Sequence, residues 1–154
     1  MAKQELLDKT YLDMAEVLSK LSYAEKAKVG CLIVKDTHII AEGINGTPAG
    51  FDNCCEYEKI YFTSVELDSP PVIIKEIVTK PEVLHAESNA ITKIARSTQS
   101  SEGSTLYTTL SPCLECSKLI IQAGIKRVVY KNKYRITNGL ELLKKANIEV
   151  IELI

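Results

Sequence analysis

The chain of 154 residues lacks the features that mark secreted, membrane and polyanion-binding proteins. No apolar run reaches the roughly 18 residues that a transmembrane helix requires, and no basic segment followed by an apolar one opens the chain as a signal peptide would. Runs of like charge are also missing, and the net charge is only −1, so the composition favours neither nucleic acid nor membrane as a partner. We therefore expect a soluble, cytoplasmic protein.

The sequence also has no internal repeat and no composition shift that would mark a domain boundary. With 45% hydrophobic residues, residues 1–154 are expected to form one domain with a sizeable core. The number of cysteines is odd, which does not suit a disulfide framework and favours metal binding or catalysis. They are Cys31, Cys54, Cys55, Cys113 and Cys116.

The hydrophobic pattern predicts an α/β layer fold. An initial helix over 3–22 precedes two strands over 28–35 and 38–43, which form a hairpin, and a loop over 43–50. Strands and helices then alternate, which predicts parallel strand pairs in the second half of the chain. The predicted elements are a helix over 86–97, a strand over 105–109, a helix over 113–123, a strand over 126–130, a helix over 138–146 and a strand over 148–153. Asn138 and Glu141 resemble a capping box at the start of the last helix.

Residues 51–84 have the least regular pattern. Residues 61–67 are compatible with a strand, Pro70-Pro71 interrupts any element, and residues 72–78 fit a helix or a strand equally well. Long irregular segments in small domains are usually functional or locally structured. We expect an insertion that covers a site or forms a subunit contact.

Two short segments carry the groups for a metal centre. His85 precedes a helical pattern, and Cys113 and Cys116 are three residues apart on a predicted helix, so both sulfurs can face one ion. Ser111 as the N-cap and Pro112 as the first helical residue would start that helix. One imidazole and two thiolates can hold Zn²⁺ with the fourth position open.

Glu87, two residues after His85, decides between two kinds of zinc site. As a free carboxylate it can move protons during catalysis. A closed structural site would instead need a fourth ligand, and Cys31, His38, Cys54 and Cys55 are available. The conjunction of His-Ala-Glu with Pro-Cys-x-x-Cys favours the catalytic alternative.

These motifs resemble the cytidine deaminase-like superfamily and, more narrowly, the deoxycytidylate (dCMP) deaminase family of the bacteriophage type. The resemblance implies a three-layer α/β/α fold with a central mixed five-stranded sheet flanked by helices. It also implies zinc-dependent hydrolysis of dCMP to dUMP and ammonia, which supplies dUMP for thymidylate synthesis. The segments that carry it are residues 29–34, 43–50, 53–56, 85–90, 108–113 and 124–130.

The resemblance further implies roles for single residues. Glu87 would be the proton carrier, and the substrate would contact Asn45, Asn89, Ser111, Tyr134 and Arg135. Family members are often hexamers, activated by dCTP and inhibited by dTTP with Mg²⁺. Lys28, Glu42, Asn45 and Gly46 are the candidates for that effector site.

Each of these roles has a simpler alternative. Asn89 can be a helix surface residue, Tyr134 and Arg135 an exposed loop pair, and Asn45-Gly46 a tight turn. Some phage relatives hold a second, structural zinc ion with cysteines and histidines that precede the catalytic histidine. Here Cys54 and Cys55 match only part of that pattern, because residues 56–84 contain no histidine. We therefore predict reduced thiols at Cys54 and Cys55.

Two other functions fit the same motifs. One is a deaminase of free cytidine, of guanine or of adenosine in transfer RNA. A phosphate group on the substrate would require a cation near the site, and Arg135 and Lys28 are the candidates. The other is a zinc-stabilised nucleotide-binding module without activity, in which Glu87 would have no role.

Overall fold

The fold is built on a mixed five-stranded sheet. The computed structural model describes residues 3–63 and 67–154. The helices in these ranges are α1 (Lys3–Ser19), α2 (Ala86–Ala95), α3 (Leu114–Gln122) and α4 (Asn138–Lys145). The strands are β1 (Gly30–Lys35), β2 (His38–Ile44), β3 (Glu56–Thr63), β4 (Val72–Thr79), β5 (Thr105–Leu110), β6 (Arg127–Asn132) and β7 (Glu149–Glu152). The five-stranded sheet has the strand order β2-β1-β5-β6-β7, and a separate two-stranded sheet pairs β3 with β4.

Strand direction follows from the connections between strands. The turn from β1 to β2 is made by Asp36 and Thr37, both at positive φ (49° and 65°), which is the backbone twist that a tight hairpin needs. β1 also pairs antiparallel with β5, whereas β5, β6 and β7 are parallel and are joined through α3 and α4. The predicted hairpin and parallel pairs are confirmed.

The helices cover both faces of the sheet, because successive side chains of the buried strands point to opposite sides. Leu32 and Val34 of β1 pack with Leu12 and Ala15 of α1. Cys31 and Ile33 point the other way, into the larger core formed with α2, α3 and α4. This arrangement confirms the three-layer α/β/α architecture.

Two glycines allow the helices to lie directly on the sheet. A Cβ atom at Gly30 would clash with the carbonyl oxygen of Ala15 in α1, and one at Gly43 would clash with the carbonyl oxygen of Ala86 in α2. The second contact draws the beginning of α2, including Glu87, against the end of β2. Glycine at position 43 therefore helps to place the candidate catalytic residue.

The segment 51–84 contains a β-hairpin rather than an irregular loop. β3 and β4 pair along their whole length, so the ambiguous residues 72–78 are strand, and Tyr61–Thr63 are strand as well. Part of the possible strand over 61–67 lies outside the described residues. Most hairpin side chains are exposed, and Glu56 at its base is buried.

Some predicted element ends are corrected by local hydrogen bonds. α1 ends at Ser19 because tighter bonds, from Leu21 N to Leu18 O and from Ser22 N to Ser19 O, turn the chain before residue 22. The N-cap of α4 is Thr137 and not Asn138, since Glu141 N donates to Thr137 O. None of the helices in the described ranges is both long and apolar enough to span a membrane.

Candidate metal centre and active-site cavity

The loop from β5 to α3 places the two cysteines. Cys113 is the N-cap of α3, and its sulfur accepts a hydrogen bond from Cys116 N at 3.5 Å. The prediction of Ser111 as N-cap and Pro112 as first helical residue is therefore wrong by two residues. Ser111 is used elsewhere, because its Oγ accepts from Tyr134 N at 2.8 Å and its own N donates to Asn132 O.

His85 completes a three-residue group. It is the N-cap residue of α2, and its Nδ1 lies 3.4 Å from the sulfur of Cys113 and 3.4 Å from that of Cys116. The three ligand atoms lie within 4.8 Å of one another. Zn–N bonds of about 2.0–2.1 Å and Zn–S bonds of about 2.3 Å at a tetrahedral angle require N–S separations of about 3.6 Å. The donor set and its spacing therefore fit Zn²⁺.

Electrostatics also favour a bound cation here. Hydrogen bonds from Cys116, which have the largest effect, and from His85 lower the pKa of Cys113 to about 3. The hydrogen bond to Cys113, burial and the neighbouring Glu87 raise the pKa of Cys116. These hydrogen bonds favour the thiolate form of Cys113, and binding a dication would offset the cost of ionising Cys116.

Glu87 lies beside this group without joining it. Its side chain is 4% exposed, and burial raises the pKa of its carboxyl group. Thr108 Oγ1 on β5 lies 3.5 Å from Glu87 Oε1. A carboxyl group with a raised pKa next to a metal position can both accept and return a proton.

The metal-ligating group opens into a cavity of about 500 Å³. Four of the five predicted substrate residues line it, together with His85, Glu87 and Cys113. Asn89, Lys28, Glu42 and Gly46 are not among the lining residues. The full lining is Ala24, Lys26, Ala27, Val29, Asn45, Glu56, Thr79, Val83, His85, Ala86, Glu87, Leu110, Ser111, Cys113, Tyr134 and Arg135.

The two asparagines bind backbone groups. Asn45 Oδ1 accepts from Val29 N at 2.8 Å, and its Nδ2 donates to Ala27 O at 2.7 Å, so this side chain joins the end of β2 to residues 27–29. Asn89 Nδ2 donates to Ile44 O at 2.9 Å. The amide of Asn45 is therefore part of the cavity wall, and that of Asn89 holds the end of β2 next to it.

The predicted effector residues lie in β2, directly after it, or just before β1. Glu42 forms an exposed ion pair with Lys93 at 2.8 Å. Gly46 exchanges backbone hydrogen bonds with Leu84, and Lys28 is exposed next to Val29, which Asn45 binds. The three positions are close in the chain or the sheet to Asn45, outside the cavity itself.

Cys54 and Cys55 bond to nearby backbone groups. The sulfur of Cys54 donates to Glu56 O at 3.2 Å, and that of Cys55 donates to Asn53 O at 3.6 Å. Among the residues that the structure describes, the three-residue group at His85 is the one cluster of possible ligands with metal-binding spacing. Reduced thiols at both positions stay our prediction.

Sequence reasoning missed two charged residues of the cavity. Lys26 lines the cavity, whereas Lys28, which was considered as the substrate cation, does not. Glu56 is buried and accepts hydrogen bonds from Glu25 N at 2.9 Å and Lys26 N at 3.3 Å. Residues 24–28 have no regular periodicity, so the sequence contains no signal for which lysine faces inward.

Comparison with known proteins gives one consistent family. Residues 6–132 match the model of the cytidine and deoxycytidylate deaminase zinc-binding region. The deoxycytidylate deaminase of Enterobacteria phage T4 is 36% identical over 92% of this chain and 86% of its own length. That of Schizosaccharomyces pombe is 35% identical over 93% of this chain and 42% of its own length.

A solved structure agrees over nearly the whole chain. The dCMP deaminase from cyanophage S-TIM5, crystallised in complex with dCMP and dUMP, superposes with a TM-score of 0.80 and 42% sequence identity. The superposition covers 99% of both chains. The region of the β3–β4 hairpin therefore lies within the part of the chain that superposes on this structure.

Proposed function

The chain belongs to the cytidine and deoxycytidylate deaminase zinc-binding family, and from this premise we propose that it converts dCMP and water to dUMP and ammonia. The observation that carries the proposal is the group of His85, Cys113 and Cys116, of which His85 and Cys113 line a cavity, with buried Glu87 beside it. The similarity to a dCMP deaminase crystallised with dCMP and dUMP supports this substrate over the alternatives.

His85, Cys113 and Cys116 would hold the zinc ion. When bound, zinc lowers the pKa of a coordinated water towards neutrality. Glu87 takes a proton from the attacking water and passes it to ring nitrogen 3 of cytosine. It then takes the proton of the hydroxyl group added at position 4 and passes it to the amine, which leaves as ammonia, while the oxygen of the water becomes the new carbonyl oxygen.

The other cavity residues would hold the nucleotide. The cavity is lined by Asn45, Ser111, Tyr134 and Arg135. Asn89 would act indirectly, because its side chain binds Ile44 O at the end of β2. Arg135 lies with its guanidinium 5.9 Å from the centre of the Tyr134 ring, within the range of a cation–π contact.

Regulation and assembly are part of the proposal by resemblance to the dCMP deaminase family. dCTP would activate and dTTP would inhibit the enzyme, each with Mg²⁺, through Lys28, Glu42, Asn45 and Gly46. The protein would act in the cytoplasm as a homo-oligomer, a hexamer, and its dUMP would feed thymidylate synthesis. Residues 51–84 would provide a subunit contact and part of the cavity wall, since Glu56 and Thr79 line the cavity.

The test is turnover of dCMP by the zinc-loaded protein and by Glu87→Gln. The wild type should release ammonia from dCMP, and more rapidly with dCTP and Mg²⁺. The variant should keep its zinc and lose about 10²- to 10⁴-fold in kcat, because the proton carrier is gone. Retained turnover in Glu87→Gln would contradict the mechanism. A wild type that binds zinc but acts on none of dCMP, CMP, deoxycytidine and guanine would favour the binding module.

A further inference from the structure

The cavity contains a lysine that neither the mechanism nor the family motifs use. Lys26 and Arg135 are the two cationic residues among the lining residues, and both are exposed. Neither forms an ion pair in the part of the chain that the structure describes, whereas seven such pairs occur elsewhere in it. These two cations therefore line the same cavity as His85 and Cys113 of the metal group.

Neither carboxylate of the cavity forms an ion pair with these cations in the described part of the chain. Glu87 is buried next to the metal group, with its Oε1 3.5 Å from Thr108 Oγ1 of β5. Glu56 lines the cavity too, but its Oε1 accepts from the backbone N–H groups of Glu25 and Lys26. That carboxylate is thus used to hold the backbone that carries Lys26, and the ammonium group stays available for an anion.

The segment that carries Lys26 is held from several sides. Ser22 Oγ accepts from Ala24 N at 3.2 Å and donates to Asn45 O at 2.8 Å. Asn45 binds Ala27 O and Val29 N with its amide group. Together with Glu56, these bonds fix the backbone of residues 24–29, so the position of Lys26 at the cavity is set before a ligand arrives.

We propose that Lys26 is a specificity-determining residue that binds the 5′-phosphate of the nucleotide, opposite Arg135. This inference rests on the proposed function, because it assigns the phosphate contact of the same cavity. A flexible ammonium group is suited to a phosphate as a point charge, and Arg135 can add directed hydrogen bonds. Lys26 then distinguishes the nucleotide from the uncharged nucleoside.

The test compares substrates with and without phosphate. For the zinc-loaded wild type, Lys26→Met, Lys26→Arg, Lys28→Met and Lys20→Met, we would measure kcat and KM with dCMP and with deoxycytidine. Calorimetry would give the Kd of dUMP and deoxyuridine. Lys26→Met should raise KM for dCMP and Kd for dUMP by about 10- to 100-fold, because a hydrogen bond to a charged group is lost. The kcat and the nucleoside constants should change little.

The controls separate a phosphate contact from a general effect. Lys26→Arg should recover most of the loss, and Lys20→Met removes an exposed charge outside the cavity and should have no effect. Equal weakening of nucleotide and nucleoside binding in Lys26→Met would overturn the proposal. So would a loss of the same size in Lys20→Met, or a loss in Lys28→Met that Lys26→Met does not show.

The calorimetric measurement of binding does not depend on catalysis. If the wild type failed to deaminate dCMP, the proposed function would be wrong, and the comparison of dUMP with deoxyuridine would still decide the role of Lys26. A wild type that binds both with equal affinity, or neither, would overturn the phosphate contact.

Discussion

At the scale of single residues, Gly139 controls the backbone of the metal loop. A Cβ atom there would approach Pro112 O and would lie 2.8 Å from Cys113 C and O, which are backbone atoms without freedom to rotate away. α4 therefore supports the loop from behind, as outer-shell groups commonly do in metal sites. This contact has no signature in the spacing of the ligands, so sequence reasoning could not find it.

We expect Gly139→Ala to lower zinc affinity by about 10- to 100-fold, since the added methyl group must displace Cys113. Competition with a chromophoric zinc chelator would measure it. Asn138→Ala is the matched control, because this neighbouring residue of the same helical turn is exposed. Unchanged zinc affinity in Gly139→Ala would show that the loop yields freely and that α4 does not support it.

At the scale of secondary-structure elements, one buried ion pair joins α1 to the sheet. Both oxygens of Asp8 accept from Arg127 of β6, at 2.7 and 2.6 Å, and Tyr107 of β5 also donates to Asp8 at 2.7 Å. The side chains of Asp8 and Arg127 are only 6% and 15% exposed. Loss of either partner would leave the other charged and poorly solvated.

Asp8→Ala should reduce the free energy of unfolding by about 3–5 kcal/mol, the usual cost of breaking a buried pair. Urea denaturation would measure it. Lys118→Ala provides the comparison, because its pair with Glu115 is exposed and should contribute less than about 1 kcal/mol. Equal losses in the two variants would mean that Arg127 is satisfied by Glu149, its second partner at 3.0 Å.

The same pair predicts a pH dependence of stability. Burial by itself would raise the pKa of Asp8, but hydrogen bonds from Arg127, Tyr107 and Gln4 outweigh it, and the net pKa is below the usual value. Its contribution is therefore complete above the unfolded pKa of about 3.9 and is lost as the pH falls through the folded pKa. Asp8→Ala should lose less stability than the wild type over this acidic range.

The elements themselves were largely predictable because their signals are local. The buried run of β1, the hairpin that it forms with β2, and the helical spacing of Cys113 and Cys116 are all visible in short windows of sequence. The N-caps of α3 and α4 were missed because a cap is decided by competing bonds. Ser111 is taken up by Tyr134 N, a residue of a distant loop. Likewise, the tertiary position of Lys26 depends on Glu56, thirty residues away.

At the scale of the whole molecule, packing within one chain does not account for the exposed apolar side chains of the β3–β4 hairpin. Its strands pack chiefly on each other. The pairing register puts Ile60, Phe62, Ile73 and Ile77 on one face, where they are between 44% and 70% exposed. A two-stranded hairpin is marginally stable in water by itself, and exposed apolar patches usually mark contact surfaces. We therefore expect this face to be covered in the proposed oligomer.

Phe62→Lys should disrupt that assembly, since it places a charge at the most exposed apolar position of the face. Light scattering after size-exclusion chromatography should give a hexamer for the wild type and smaller species for the variant, with unchanged circular dichroism. Val17→Lys is the matched control, because Val17 on α1 is 64% exposed, close to the 70% of Phe62. A monomeric wild type would contradict the assembly. If Val17→Lys alone caused dissociation, the subunit contact would lie on α1, and the hairpin would serve only as part of the cavity wall.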